Sequence, residues 1–118
     1  KGKKVVKMVR KEVFRLPSTA SITAAATLKR VDLSNPYAIQ RSLVASNATG
    51  SYPITITTFV LAYSDYSNAG KASSLGDIKT FLGHAYGAGQ QSVSKYGFAP
   101  LPAPMLAAAK AQIGSLQK

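Results

Sequence analysis

Cysteine is absent from the 118 residues, so disulfides, thiolate metal sites and cysteine nucleophiles are excluded together. That absence leaves the compartment open, because an exported protein need not carry disulfides. No apolar run approaches the roughly 20 residues that cross a bilayer as a helix. Phe59–Ala62, inside a Thr-rich stretch, has only the length of a strand. Acids are scarce: Glu12, Asp32, Asp65 and Asp77 stand against 15 Lys+Arg, for a net charge of +11. Such a balance favours acidic partners and disfavours a cationic substrate. His84 is the sole histidine and has no carboxylate at a companion spacing, while Asp65 and Asp77 fall in a predicted turn and a predicted helix start. No constellation for general acid–base or nucleophilic catalysis is assembled, and the chain reads as a non-enzyme without cofactor or metal. There is no internal repeat. Starting at Lys1 with neither an initiator Met nor an apolar signal-peptide core, the chain is expected to be a processed or partial product.

What is present argues for a folded chain. Hydrophobic residues make up 46% and recur in segments along the sequence, which disfavours disorder, and the length suits one compact domain or a piece of one. The positive charge is concentrated at the start, where Lys1, Lys3, Lys4, Lys7, Arg10, Lys11 and Arg15 crowd the first fifteen residues. Imperfect alternation with Val6, Met8, Val13 and Phe14 predicts a basic strand or hairpin over residues 1–16. The favoured reading of this patch is a solvated edge guarded by lysines. The functional reading is an anion or acidic-partner surface, with nucleic acid or anionic lipid as a less favoured occupant. Only Phe14 is interleaved with the cations, so the stacking platform of a single-strand binder is missing.

Residues 17–52 are expected to hold a short helix and a crossover loop. Pro17 stops any strand, Ser18 or Thr19 can cap, and Ala20–Leu28 is Ala-rich with Ile22, Ala25 and Leu28 on one face. From Lys29 to Tyr52 the period is lost, and Asn35-Pro36, Asn47 and Gly50-Ser51 supply turn chemistry. Asn47-Ala48-Thr49 is an acceptor pattern for glycosylation and serves here as a loop marker. Residues 53–118 carry the strongest patterning. Pro53 leads into Ile54–Tyr63, where β-branched and aromatic residues predict a central strand covered on both faces along its second half. Ser74 and Asp77 mark a helix start, and Leu75, Ile78, Leu82 and Ala85, widened by Phe81 and Tyr86, form its stripe up to Gly87 and Gly89. A shorter helix over Gln90–Tyr96 stops at Gly97, residues Phe98–Pro102 must be extended, and Pro104 opens a last helix with Leu106, Ala109, Ile113 and Leu116 on its face. The tyrosines read as packing residues.

The order of these motifs resembles the C-terminal region of the periplasmic phosphate-binding proteins that feed ABC transporters. The match runs from Gly50 to Leu116: Tyr52-Pro-Ile-Thr-Ile-Thr-Thr-Phe-Val-Leu61, then Ile78-Lys-Thr-Phe-Leu82, then Tyr86-Gly-Ala-Gly89, then Tyr96-Gly-Phe-Ala-Pro-Leu-Pro102. Leu16–Ile22 matches more loosely. The resemblance implies an α/β class and a partial type II periplasmic binding protein fold: one lobe's C-terminal strand and packing helices plus a crossover segment. It implies a substrate-binding component of a phosphate uptake system, periplasmic or extracellular, with inorganic phosphate and an ABC transporter permease as partners. The family's Ser-Gly-Thr phosphate triplet is absent, and no family Asp or Arg ligand can be placed on this chain. Weak hydroxyl candidates are Thr57, Thr58, Ser73 and Ser74, for which the favoured roles are strand and helix-cap hydrogen bonding. Phosphate binding is therefore expected only when upstream sequence completes the site. The alternative is a structural or assembly subunit that keeps the family's packing unit, assembles with itself or a companion chain, and uses its basic N-terminus for an acidic partner.

Overall fold

The computed structural model describes residues 14–27 and 31–118. Four α-helices occur among them: α1 (Thr19–Ala25), α2 (Pro36–Val44), α3 (Leu75–Ala85) and α4 (Ala103–Gly114). Short 3-10 turns cover Ala72–Ser74, Ala88–Gln91 and Val93–Tyr96. Of the basic strand or hairpin expected over residues 1–16, residues 1–13 lie outside the described residues.

Helix α1 starts where a hydroxyl can satisfy the unpaired amides of a first turn. Ser18 Oγ accepts from Ser21 N at 3.1 Å, and Ser21 Oγ accepts from Ser18 N at 2.9 Å, a reciprocal capping box with serine in the place usually held by Glu or Gln. Helix α2 corrects the crossover-loop reading of residues 29–52. Asn35 Oδ1 accepts from Tyr37 N at 3.0 Å and Ala38 N at 3.2 Å, and Pro36 occupies the first helical position. Asn-Pro is thus a helix start, because the proline has no amide to waste there and its fixed φ suits a first turn. Ile39 and Leu43, one turn apart, are the buried residues of α2.

Helix α3 falls where the stripe places it, with Asp77 in its first turn favouring the positive end of the helix dipole. Ser74 makes no capping bond, since its backbone is already helical and continues from the Ala72–Ser74 turn. Leu82 is buried, but Phe81 is 65% exposed and does not widen the buried stripe as expected. A Cβ on Gly87 would stand 2.6 Å from Gly83 O, so only glycine lets the chain turn this tightly after α3. The helix expected over Gln90–Tyr96 is two 3-10 turns, stopped as expected by Gly97 at φ 80°. Pro104 lies in the first turn of α4, and Met105 rather than Leu106 is the buried residue of that helix.

The core gathers Ala26, Ile39, Leu43 and Met105, with Val31, Leu33 and Leu101 packed against it. A second contact ties the chain end to its middle. Tyr66 N donates to Gln117 O at 3.0 Å and Gln117 N to Ser64 O at 2.9 Å, forming an isolated parallel bridge between Asp65 and Gln117.

Residues Ile54–Tyr63 depart furthest from expectation. No strand is formed there among the described residues, and the expected cover on the second half is missing. Leu61 is 96% exposed, and Val60 and Tyr63 are more than half exposed. β-Propensity makes a segment extended, but a ladder also needs a neighbouring strand, and none of the described segments supplies one. Helix is the regular structure of the described residues.

Candidate functional site

The feature of the molecule that invites a partner is the extended segment and the cleft beside it. Pro53 sets its start, and Tyr52 N donates to Ser21 O at 3.0 Å, anchoring the segment to α1. Thr55 is buried, its hydroxyl donating to Tyr52 O at 2.9 Å. The next contact comes from α2. Gln40 Nε2 donates to Thr55 O at 3.1 Å, and Thr57 N donates to Gln40 Oε1 at 3.1 Å. A residue in a parallel strand makes this same pair of bonds to the carbonyl before and the amide after its neighbour. One side-chain amide thus stands in for one residue of a parallel strand facing Ile56.

Beyond Gln40 the segment runs past α4, with a cleft of about 140 Å³ between them. Leu33, Ile39, Leu101, Met105 and Ala108 contribute its apolar wall, and Thr57, Thr58, Ser34 and Gln112 its polar atoms. Among the described residues no Lys, Arg, Asp or Glu lines it. A second hollow of about 160 Å³ continues the surface along Val60 and Ala62 toward Leu82, Ile113 and Leu116. An anion held by these described residues alone would have no cation to offset its lost hydration.

The hydroxyl candidates separate into two places. Thr57 and Thr58 line the cleft, whereas Ser73 and Ser74 belong to the 3-10 turn before α3 and are not among the cleft residues. Ser73 is exposed, Ser74 half-buried, and Ser74 N donates to Lys71 O at 2.9 Å. In the basic patch, Arg15 is exposed, and Lys1, Lys3, Lys4, Lys7, Arg10 and Lys11 lie outside the described residues. His84 is exposed near the end of α3. Asp65 accepts from Asn68 N at 2.8 Å within its turn. Tyr66 is buried and meets Tyr63 edge to face at 5.6 Å, as packing residues do. Among the described residues no group of three or more His, Asp or Glu side chains could hold a metal ion, and no helix is long and apolar enough to cross a membrane.

The proton affinity of Asp32 is set by a neighbour. Its Oδ1 accepts from the Ser34 hydroxyl at 2.6 Å and from Ser34 N at 2.9 Å, and these two bonds lower its pKa below the ordinary 3.8. The folded value being depressed, the contribution is present above the ordinary pKa and fades as pH falls through the folded one. Ser34→Ala removes the hydroxyl donor and keeps the amide. Carboxyl chemical shifts followed by NMR should then show Asp32 titrating closer to its ordinary value, with the rest of the shift retained.

Gln40 is the residue sequence reasoning missed. Its position on the α2 face was hidden while residues 29–52 read as a loop; with Asn35-Pro36 taken as a helix start, Gln40 falls one residue after Ile39 and beside the buried face. Compared with known proteins, the chain matches no family model, no curated protein and no solved structure.

Proposed function

We propose that this chain is phosphate-binding-protein-like, the C-terminal packing unit of a substrate-binding component in an ABC phosphate uptake system. On this reading it is exported, non-catalytic and α/β once Ile54–Tyr63 is paired. Upstream sequence supplies the phosphate ligands, and the completed protein meets the permease. The motif order from Gly50 to Leu116 is the resemblance behind the proposal. The observation that supports it is the state of the extended segment: one edge is met by Gln40, and apolar side chains stand exposed along it, the condition of a sheet strand whose neighbours come from elsewhere. The chain's role is then to hold a strand and its packing helices against an upstream lobe, consistent with a cleft that no charged side chain lines among the described residues.

The same exposed segment also supports the second reading, a structural or assembly subunit whose basic N-terminus holds an acidic partner. Isothermal titration of inorganic phosphate separates the two roles. The isolated chain should give no micromolar binding, and addition of the upstream lobe of a phosphate-binding protein should restore it. Micromolar binding by the isolated 118 residues would show that the chain holds its own site and that the packing-unit reading is wrong.

A further inference from the structure

We infer that Asn47 is the acceptor of an N-linked oligosaccharide, presented to a sugar transferase by the folded loop that follows α2. The inference rests on one part of the reading above, that the chain is exported, because the sugar donor is met on the export route. It is independent of phosphate and of assembly.

Among the asparagines, Asn35 is followed by proline and Asn68 by Ala-Gly, and only Asn47 has a hydroxyl residue two places on, in Asn47-Ala48-Thr49. Helix α2 ends at Val44, one residue after Leu43, which is fully buried in the core. Ser46 N donates to Leu43 O at 3.3 Å as the chain leaves the helix. Ser51 then closes the loop: its hydroxyl donates to Ser46 O at 3.2 Å and its amide to Ala48 O at 3.0 Å. Gly50, with φ 86°, takes the third place of the Ala48–Ser51 turn, where a positive φ favours glycine. Tyr52 N donates to Ser21 O at 3.0 Å and ties the far end to α1. The loop is thus held at both stems by serines and backbone, while Asn47 and Thr49 at its tip are exposed. An attached glycan is bulky and hydrophilic, and this placement lets it extend into solvent without displacing the core.

A second observation concerns where the first sugar would lie. A hollow of about 570 Å³ opens beside the loop, within the range of about 300–1,000 Å³ usual for small-ligand pockets. Its described lining includes Asn47 itself and the hydroxyl-bearing Thr27, Ser42, Ser46 and Thr49, with no charged or aromatic side chain. Uncharged hydroxyls both donate and accept, as the hydroxyls of a neutral sugar do.

The transfer is a substitution at the anomeric carbon of an oligosaccharide carried on polyprenyl pyrophosphate. Asn47 Nδ2 forms the new bond to that carbon, and the bond from the carbon to the pyrophosphate oxygen breaks. Its electron pair leaves with the pyrophosphate, and Nδ2 gives one proton to a base of the transferase.

The full folded chain, incubated with a purified oligosaccharyltransferase and a polyprenyl-pyrophosphate oligosaccharide, is expected to gain one glycan. Peptide N-glycosidase should remove it and leave an aspartate in place of Asn47, as read by peptide mass spectrometry. Thr49→Ser should keep the transfer, and Thr49→Ala should lower it at least about tenfold while circular dichroism keeps the helical signal. No transfer to the unaltered chain overturns the inference, as does a glycan unaffected by Thr49→Ala. Transfer to a Leu43→Ala chain but not to the unaltered one overturns it too, since the fold would then hide the acceptor. Should Thr49→Ala lose its helices, the unaltered chain and Thr49→Ser still decide. A chain that its source retains inside the cell, yet that accepts the sugar in this assay, would refute export alone. An exported chain that refuses the sugar would refute this inference alone.

Discussion

Leu43→Ala is expected to cost about 3 kcal/mol and to abolish or sharply lower the thermal transition. Leu43 is the one large side chain among the described residues with no exposed surface. It sits on α2 between Ala26 and Met105, which belong to distant parts of the sequence, so its removal opens a cavity at the point where the chain's parts meet. Buried leucine truncations cost roughly 2–5 kcal/mol, the larger values arising where neighbours cannot collapse. Ala26 has no side-chain reach to fill the gap, and Met105, though flexible, is held on α4. Domains are stable by only about 5–15 kcal/mol in total. In a chain with so small a core this single change takes away much of what is there. The neighbouring Val44 is more than half exposed, so Val44→Ala should change stability by no more than about 0.5 kcal/mol. Thermal melts followed by helical circular dichroism test both. A Leu43→Ala protein melting as the unaltered chain does would mean that the Ala26–Ile39–Leu43–Met105 cluster is not what holds the helices together.

The contrast between neighbours in this chain shows what a sequence can reveal and what it cannot. Local chemistry was legible. The Ser18 cap, the stop at Gly97, the extended Pro102 and Pro104 in a first helical turn are all found, because each depends on residues within a few positions. Helix α2 was hidden because Asn-Pro serves turns and helix starts alike, and only the amides of Tyr37 and Ala38 pointing at Asn35 tell them apart. The expected strand at Ile54–Tyr63 failed for a different reason. β-Propensity is a local property, whereas a ladder is a relation between two segments, and the second is not among the described residues. The candidate site shows the same division. Thr57 and Thr58 could be singled out as hydroxyls on an apolar segment, but the apolar surroundings of their cleft depend on what α2 and α4 bring to it.

Gln40→Leu is expected to destabilise the chain by about 1–3 kcal/mol and to promote association. The side chains are similar in size, so packing is little changed and the effect falls on two hydrogen bonds. Thr55 O and Thr57 N both lose their partner, at a place part-buried enough that water replaces it poorly. The second consequence follows from composition: the segment that Gln40 helps to hold is β-branched, uncharged and free of proline after Pro53, the composition of an association-prone stretch once it is released. Gln90→Leu is the matched control. Gln90 bridges Ala85 O at 2.9 Å and Leu101 N at 3.0 Å, so its loss should bring a similar destabilisation. The backbone it releases lies between Pro100 and Pro102 and offers no continuous edge, so no growth should follow. Static light scattering over hours, beside denaturant unfolding, distinguishes the outcomes. Growth in both variants would mean that lost stability alone drives association; growth in Gln40→Leu alone would show that the Gln40 amide shields this segment from association.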